Sequence, residues 1–140
     1  MMNGVTDFTS GRVFLKHEKI KLLYNPHQDI LIKADKGRIS QVISNLLSNA
    51  IEFTGDGTIL VSIEKDNNKT IIVSVKDPGQ GIDSSIVPRL FTKFTSRSHK
   101  GTGLGLFLSK GIIEAHGGKI WGENNTDGRG AKFSFSLPTI

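Results

Sequence analysis

One long amphipathic helix is the feature of the sequence that most restricts its fold. Apolar residues recur at spacings of three and four, the period of one helix face. They are Ile39, Val42, Ile43, Leu46, Leu47, Ala50 and Ile51. Asp35 is the expected N-cap, and Gly55-Asp56-Gly57 ends the helix. A helix with a single apolar face needs a second layer of structure to cover that face.

Alternating apolar and polar residues predict that this second layer is a β-sheet. Residues 58–65 and 70–77 form two such runs, and the polar segment 66–69 joins them as an antiparallel hairpin. The other expected elements are strands over 19–24, 29–34, 119–122 and 131–137 and a second helix over 104–116. This order predicts an α/β two-layer sandwich with a mixed, mainly antiparallel sheet and helices on one face. Residues 1–16 are assigned no element and are expected to be a linker, with one domain over 17–140.

Composition narrows the classes of function. The chain has 140 residues and no cysteine, which excludes thiol chemistry and favours the cytosol. No apolar run approaches the roughly 20 residues that cross a bilayer. The net charge of +5 suits nucleic acid, a membrane surface or a nucleotide polyphosphate. The four histidines lack the spacing of paired metal ligands. The sequence shows neither a helix suited to contact base edges nor an aromatic surface on which bases could stack, so nothing beyond the charge indicates nucleic-acid binding.

A carboxylate ends the second strand of the central hairpin. Strand alternation places Asp77 on the core side, with Val73 and Val75. A buried charge needs a fixed partner, which either the protein or a ligand supplies. The following Pro78-Gly79-Gln80-Gly81 would let the backbone approach such a ligand closely, because glycine has no Cβ and allows positive φ. An aspartate before a glycine turn is also typical of a local Asx-turn, so this pattern alone leaves both interpretations open.

Two asparagines lie four residues apart on the long helix and therefore share one side of it. Asn45 and Asn49 stand at the border of the apolar face, where their amides can bond to each other or to solvent. An amide oxygen is also a suitable ligand for Mg²⁺, which binds few protein groups and mostly phosphate and water oxygens. Asn49 is therefore a candidate magnesium ligand beside a bound nucleotide.

A glycine-rich turn opens the second helix. In Gly101-Thr102-Gly103-Leu104-Gly105-Leu106, free N–H groups and the positive end of the helix converge. This arrangement favours the binding of an anion. No strand precedes the turn as in a dinucleotide-binding unit, and no Gly-Lys-Ser/Thr ends it as in a P-loop. Lys93, Arg97 and Lys100 precede it and either reach phosphate or remain solvated. Residues 83–100 are expected to form a mobile lid that nucleotide orders.

The order of these segments resembles the sensor histidine kinase catalytic domain, a member of the GHKL superfamily with the Bergerat ATP-binding fold. The resemblance runs from about His17 to Pro138. Four segments, similar to the family's N, G1, F and G2 boxes, carry it: Asn45-Leu46-Leu47-Ser48-Asn49-Ala50, Asp77-Pro78-Gly79-Gln80-Gly81, Leu90-Phe91-Thr92-Lys93-Phe94 and Gly101-Thr102-Gly103-Leu104-Gly105-Leu106.

This resemblance implies a site for ATP and Mg²⁺. Asp77 would accept a hydrogen bond from the adenine amino group, and Asn49 would ligate Mg²⁺. Gly79 and Gly81 would shape the adenine pocket. Gly101, Gly103 and Gly105 would form the phosphate turn. The other implied ATP-site residues are Asn45, which is also the candidate catalytic position, Ile82, Lys93, Phe94, Arg97, Thr102, Leu104 and Leu106.

The resemblance also implies the reaction and its partners. The chain would donate the γ-phosphate to a histidine on a separate phosphoacceptor domain of the same kinase, and a response regulator would act downstream. It would be a cytosolic domain, monomeric in isolation, without nucleic-acid or membrane contact. Only Lys16-His17-Glu18-Lys19 is faintly similar to an acceptor box. We therefore expect no phosphorylation of this chain by itself.

Departures from the family pattern keep alternatives open. Glu52 stands where the family usually has lysine, Ala131 where it often has threonine, and six residues separate Phe94 from Gly101. These changes suit a non-catalytic or weakened nucleotide-binding regulatory module. ATP-hydrolysing relatives and serine-directed anti-sigma kinases carry glutamate one turn before the metal asparagine. Asn45 occupies that position here and cannot abstract a proton, which disfavours both of those classes.

Overall fold

The computed structural model describes residues 4–7, 12–15, 20–25, 32–66, 69–95 and 103–140. The strands are β1 (Gly4–Asp7), β2 (Arg12–Leu15), β3 (Ile20–Asn25), β4 (Gly57–Asp66), β5 (Thr70–Lys76), β6 (Ile120–Asn124) and β7 (Ala131–Pro138). The helices are α1 (Lys36–Phe53) and α2 (Gly105–Ala115), with a short 3₁₀ helix at Val87–Arg89. None of the helices in these ranges has the length and apolar character needed to cross a membrane.

Within these ranges the strands form one sheet in the order β1-β2-β3-β4-β5-β7-β6. Only β3 and β4 pair in parallel, and α1 makes the crossover between them; every other pair is antiparallel. The register places Val75 opposite Val61 on one side and Phe133 on the other. This architecture confirms the predicted α/β sandwich with a mixed, mainly antiparallel sheet.

One face of the sheet forms the core with the two helices. Helix α1 buries Val42, Leu46, Leu47 and Ala50, as its apolar period predicts. Helix α2 contributes Ile113, and the sheet contributes Ile59, Val73, Val75, Phe133 and Phe135. Asp35 caps α1 by accepting a hydrogen bond from the Arg38 N–H at 3.1 Å, which confirms the predicted helix start.

The first third of the chain differs from expectation. Strands β1 and β2 lie within residues 1–16, for which the sequence predicts no element. Strand β1 pairs with β2, and β2 pairs with β3. The strand expected over 29–34 is wrong for its described part, because residues 32–34 form no strand. Strand β3 already has β2 and β4 as neighbours, so it has no free edge for another strand.

The two helices pack antiparallel, which brings the start of α2 to the middle of α1. At one end the Asp35 N–H donates to His116 Nε2 at 3.1 Å. Since Nε2 accepts, the proton is on Nδ1, which donates to the Ile112 carbonyl at 2.7 Å. Further along, Asn45 Nδ2 donates to Ser109 Oγ at 3.0 Å. These bonds fix the register of the two helices.

Candidate functional site

Asp77 lies at the end of β5 on the core side, where strand alternation predicts it. Its side chain is 1% exposed. Its backbone N–H donates to the Ala131 carbonyl at 2.8 Å, and Oδ1 accepts from the Gly79 N–H at 2.9 Å. The bond to Gly79 is the local Asx-turn of the simpler interpretation. The two interpretations are therefore compatible, because the same carboxylate makes the turn and is buried at the edge of the core.

The glycines after Asp77 are required by contacts within the protein. A Cβ on Gly79 would lie 2.1 Å from the carbonyl oxygen of Phe53, the last residue of α1. Gly81 has φ +84°, and its Cβ would lie 2.8 Å from Asn124 Oδ1. Contacts with α1 and β6 therefore already require both glycines, and the close approach of this backbone to a ligand stays a prediction. Ile82, which follows, is 5% exposed and packs in the core.

Asn45 links the two helices, and Asn49 lies one turn further along α1 on the same side. Asn45 Nδ2 donates to the Gly105 carbonyl at 3.3 Å as well as to Ser109 Oγ. Both asparagines are half-buried. The buried Ser109 was not predicted, because a single serine in an apolar helix carries no recognisable pattern.

The described part of the glycine-rich turn leads directly into α2. Gly103 has φ +72°, and its Cβ would lie 2.4 Å from the Phe94 carbonyl carbon. Leu104 is the N-cap and supplies no side-chain hydrogen bond to the first turn. A Cβ on Gly105 would lie 4.0 Å from Asn45 Cγ, so the positive end of α2 faces that side of α1. The half-buried Leu106 packs against the core.

Four of the residues predicted near this turn lie outside the described residues. They are Arg97, Lys100, Gly101 and Thr102. The lid expected over 83–100 is described only as far as residue 95.

The Leu90–Phe94 segment divides into an anchored part and an exposed part. Leu90 is buried, and Phe91 packs edge-to-face on Phe133 with ring centroids 6.4 Å apart. Phe94 is 69% exposed, with Lys93 Nζ 5.2 Å from its ring centroid. Phe94 also has φ +67°, a strained value for a non-glycine residue, and its N–H donates to the Gly103 carbonyl at 2.9 Å. Core packing therefore accounts for Phe91 but not for Phe94.

The charges around the site come from a few side chains. Glu52 is exposed in the last turn of α1, which contains no basic residue. Asp83 accepts from both the side chain and the backbone of Ser85, and these bonds lower the pKa of its carboxyl below the ordinary value. The part of the chain that the structure describes contains no cluster of three His, Cys, Asp or Glu side chains able to hold a metal.

Two asparagines at the end of β6 also contact the Asp77–Ile82 loop, and the sequence did not predict them. Asn124 bonds to the backbone of Ile82, and Asn125 to the carbonyl of Asp77. An Asn-Asn pair before a glycine is typical of an ordinary turn, so the pattern conceals this role.

The family comparison agrees with this geometry. A family model described as histidine kinase-, DNA gyrase B- and HSP90-like ATPase matches residues 34–140. The sensor protein KdpD of Clostridium acetobutylicum is 39% identical in an alignment 131 residues long that covers 89% of this chain and 14% of that protein. The chain therefore spans about one seventh of the length of that relative.

Solved structures show the same likeness. The catalytic domain of histidine kinase ThkA matches 86% of this chain and 79% of its own, with 38% identity and a TM-score of 0.73. ThkA in complex with the response regulator TrrA matches 86% of this chain and 34% of its own, with 37% identity and a TM-score of 0.72. Full-length ShkA in complex with AMPPNP matches 89% of this chain and 27% of its own, with 32% identity and a TM-score of 0.76.

Proposed function

The chain belongs to the histidine kinase-, DNA gyrase B- and HSP90-like ATPase family, and from this premise we propose that it binds Mg-ATP and donates the γ-phosphate to a histidine on a separate helical domain. Family membership gives ATP binding and a kinase role in general terms. The proposal adds the magnesium ion, the residues that bind the nucleotide, and the acceptor.

The buried Asp77 is the observation that carries this proposal. A carboxylate at 1% exposure is costly to bury unless hydrogen-bond donors compensate its charge, and a bound adenine would supply such a donor. A carboxylate can accept about four hydrogen bonds on its two oxygens, and in the proposed complex the adenine amino group would donate one of them. Asp77 would therefore hold the base, with Gly79, Gly81 and Ile82 beside it.

The other end of the nucleotide would lie between α1 and α2. Asn49 offers an amide oxygen to Mg²⁺, and the first turn of α2 offers N–H groups to phosphate oxygens. Bound Mg-ATP supplies the phosphoryl group and the positive charge that stabilises its transfer. Asn45 holds α2 against α1 through Ser109, so it would position the phosphate turn. Lys93, Arg97, Gly101, Thr102 and Gly103 would complete the phosphate side.

An exposed apolar patch beside this turn would receive the acceptor domain. Phe107 and Leu108, in the first turns of α2, are 39% and 47% exposed, and they line a groove of about 770 Å³ between α2 and the 91–93 segment. The exposed Phe94 follows this segment, and its N–H donates to the Gly103 carbonyl just before α2. The charged rim of the groove comprises Arg38, Lys93, Lys110 and Glu114. A docked helix here would place its histidine close to the start of α2.

Titration and transfer assays test the proposal in two steps. Calorimetry with ATP should show binding that strengthens when Mg²⁺ is added. Radiolabelled ATP should then label a supplied two-helix histidine domain but leave this chain unlabelled when it is alone. Acid-labile label on the isolated chain, lost in His17→Ala, would contradict the division between donor and acceptor.

A second candidate function is a regulatory module that binds nucleotide without transferring phosphate. The acidic Glu52 and the fully buried Ala131 favour it, because one adds negative charge and the other lacks a hydroxyl. ATP binding without transfer to any of several supplied histidine domains would support this second function.

A further inference from the structure

We propose that Asn124 and Asn125 are positioning residues for base selection, and that together they clamp both ends of the Asp77–Ile82 loop to the β6–β7 hairpin. This inference rests on the proposed binding of ATP. Neither asparagine would touch the nucleotide; each would act by holding the backbone that presents Asp77.

Asn125 holds the Asp77 end of the loop. Its Nδ2 donates to the Asp77 carbonyl and to the Arg129 carbonyl, each at 2.9 Å. Because both neighbours of Nδ2 are carbonyl oxygens, the amide has only one favourable orientation. The Asp77 N–H also donates to Ala131, so the backbone groups on both sides of this residue are bonded to the hairpin.

Asn124 holds the Ile82 end. Its Oδ1 accepts from the Ile82 N–H at 2.7 Å, and its Nδ2 donates to the Ile82 carbonyl at 2.9 Å. The side-chain amide thus pairs with Ile82 as a neighbouring strand would, although the loop itself is not a strand. Ile82 is buried, so this pairing fixes the loop at the point where it re-enters the core.

Two glycines show how closely the loop and the hairpin approach. A Cβ on Gly130 would lie 1.9 Å from the Asp77 carbonyl oxygen and 2.9 Å from the Gly79 nitrogen. A Cβ on Gly81 would lie 2.8 Å from Asn124 Oδ1. Contacts this close tolerate little displacement, so a shift of the hairpin would move Asp77 with it.

The consequence is a separation between base recognition and phosphate binding. The clamp contacts residues 77 and 82 and the hairpin, whereas the phosphate side is built on α1 and α2. Loss of the clamp should therefore weaken the binding of ATP, because Asp77 would recognise its adenine amino group. It should leave the binding of GTP unchanged, because guanine has a carbonyl at that position and makes no such bond with Asp77.

The test compares ATP and GTP as competitors of a fluorescent ATP analogue. Asn125→Asp replaces the Nδ2 donor by an oxygen that faces two carbonyl oxygens, and we expect ATP affinity to fall about tenfold with GTP affinity unchanged. Asn124→Ala removes both bonds to Ile82 without adding charge, and should act in the same direction. Thr126→Asp is the control, because it adds the same charge at an exposed position of the same turn.

Amide hydrogen exchange gives a readout that does not need nucleotide. The Ile82 amide should exchange slowly in the wild type and faster in Asn124→Ala. Equal losses of ATP and GTP affinity, or no loss of either in folded variants, would overturn the proposal, because a purely structural role lowers thermal stability without changing selectivity. A wild-type domain that binds neither nucleotide would instead overturn the proposed function, and the clamp's role with it.

Discussion

Replacing Asp77 by asparagine isolates the charge in base recognition. The variant keeps the shape of a side chain that is 1% exposed, and its amide oxygen can still accept from the Gly79 N–H, 2.9 Å away. That orientation turns the NH₂ group toward the adenine amino group, so donor faces donor. Hydrogen bonds to charged groups contribute about 1.5–3 kcal/mol, and ATP affinity should therefore fall about 10–100-fold.

Calorimetric titration with ATP, together with thermal unfolding, measures this effect. Asp83→Asn is the matched control, because its carboxylate is exposed and accepts only from Ser85 among the bonds described for it. We expect the control to bind ATP as the wild type does, and Asp77→Asn to unfold at nearly the wild-type temperature. Wild-type ATP affinity in a folded Asp77→Asn, or an equal loss in the control, would refute the assignment of Asp77 to the base.

Three further substitutions test the phosphate side and the surface charges. Asn49→Ala should weaken the Mg²⁺-dependent part of ATP binding and leave adenosine binding unchanged. Equal losses of affinity for Mg-ATP and for adenosine in calorimetry would contradict a role of Asn49 as a metal ligand. Glu52→Lys should raise ATP affinity severalfold at low salt and less at high salt, and a salt-independent affinity would argue against phosphate repulsion. Lys76 donates to Asp127 at 2.6 Å, and this hydrogen bond and charge lower the Asp127 pKa. The pair therefore contributes to the free energy of unfolding at pH values above the ordinary aspartate pKa. This contribution is lost as the pH falls through the lowered pKa of Asp127. Lys76→Met should raise the Asp127 pKa toward its ordinary value in an NMR titration; an unchanged pKa would show that Lys76 does not lower it.

Features that depend on local patterns were predictable from the sequence. The period of α1, its Asp35 cap and the alternation of β4 and β5 lie within short windows, and the structure confirms each of them. The burial of Asp77 followed from strand alternation alone.

Features that depend on distant partners were not predictable. Strands β1 and β2 have four residues each, too few for a recognisable pattern, and they join the sheet only because β1 pairs with β2 and β2 with β3. The Asn45–Ser109 bond spans 64 residues, and the Asn124–Ile82 bonds span 42. No short window contains both members of such a pair. An asparagine in a turn therefore looks the same whether it faces solvent or holds a loop.

The two halves of the proposed site are carried by different layers of the fold. Asp77 and its loop are fixed to the sheet through Ala131 and the β6–β7 hairpin, whereas Asn49 and the start of α2 belong to the helix pair. The layers meet where Gly79 passes against the carbonyl of Phe53, at the end of α1. Because the proposed base and phosphate contacts would rest on separate supports, substitutions in the sheet layer should change adenosine affinity without changing the Mg²⁺ dependence of binding. Substitutions in the helix layer should change the Mg²⁺ dependence and spare adenosine affinity.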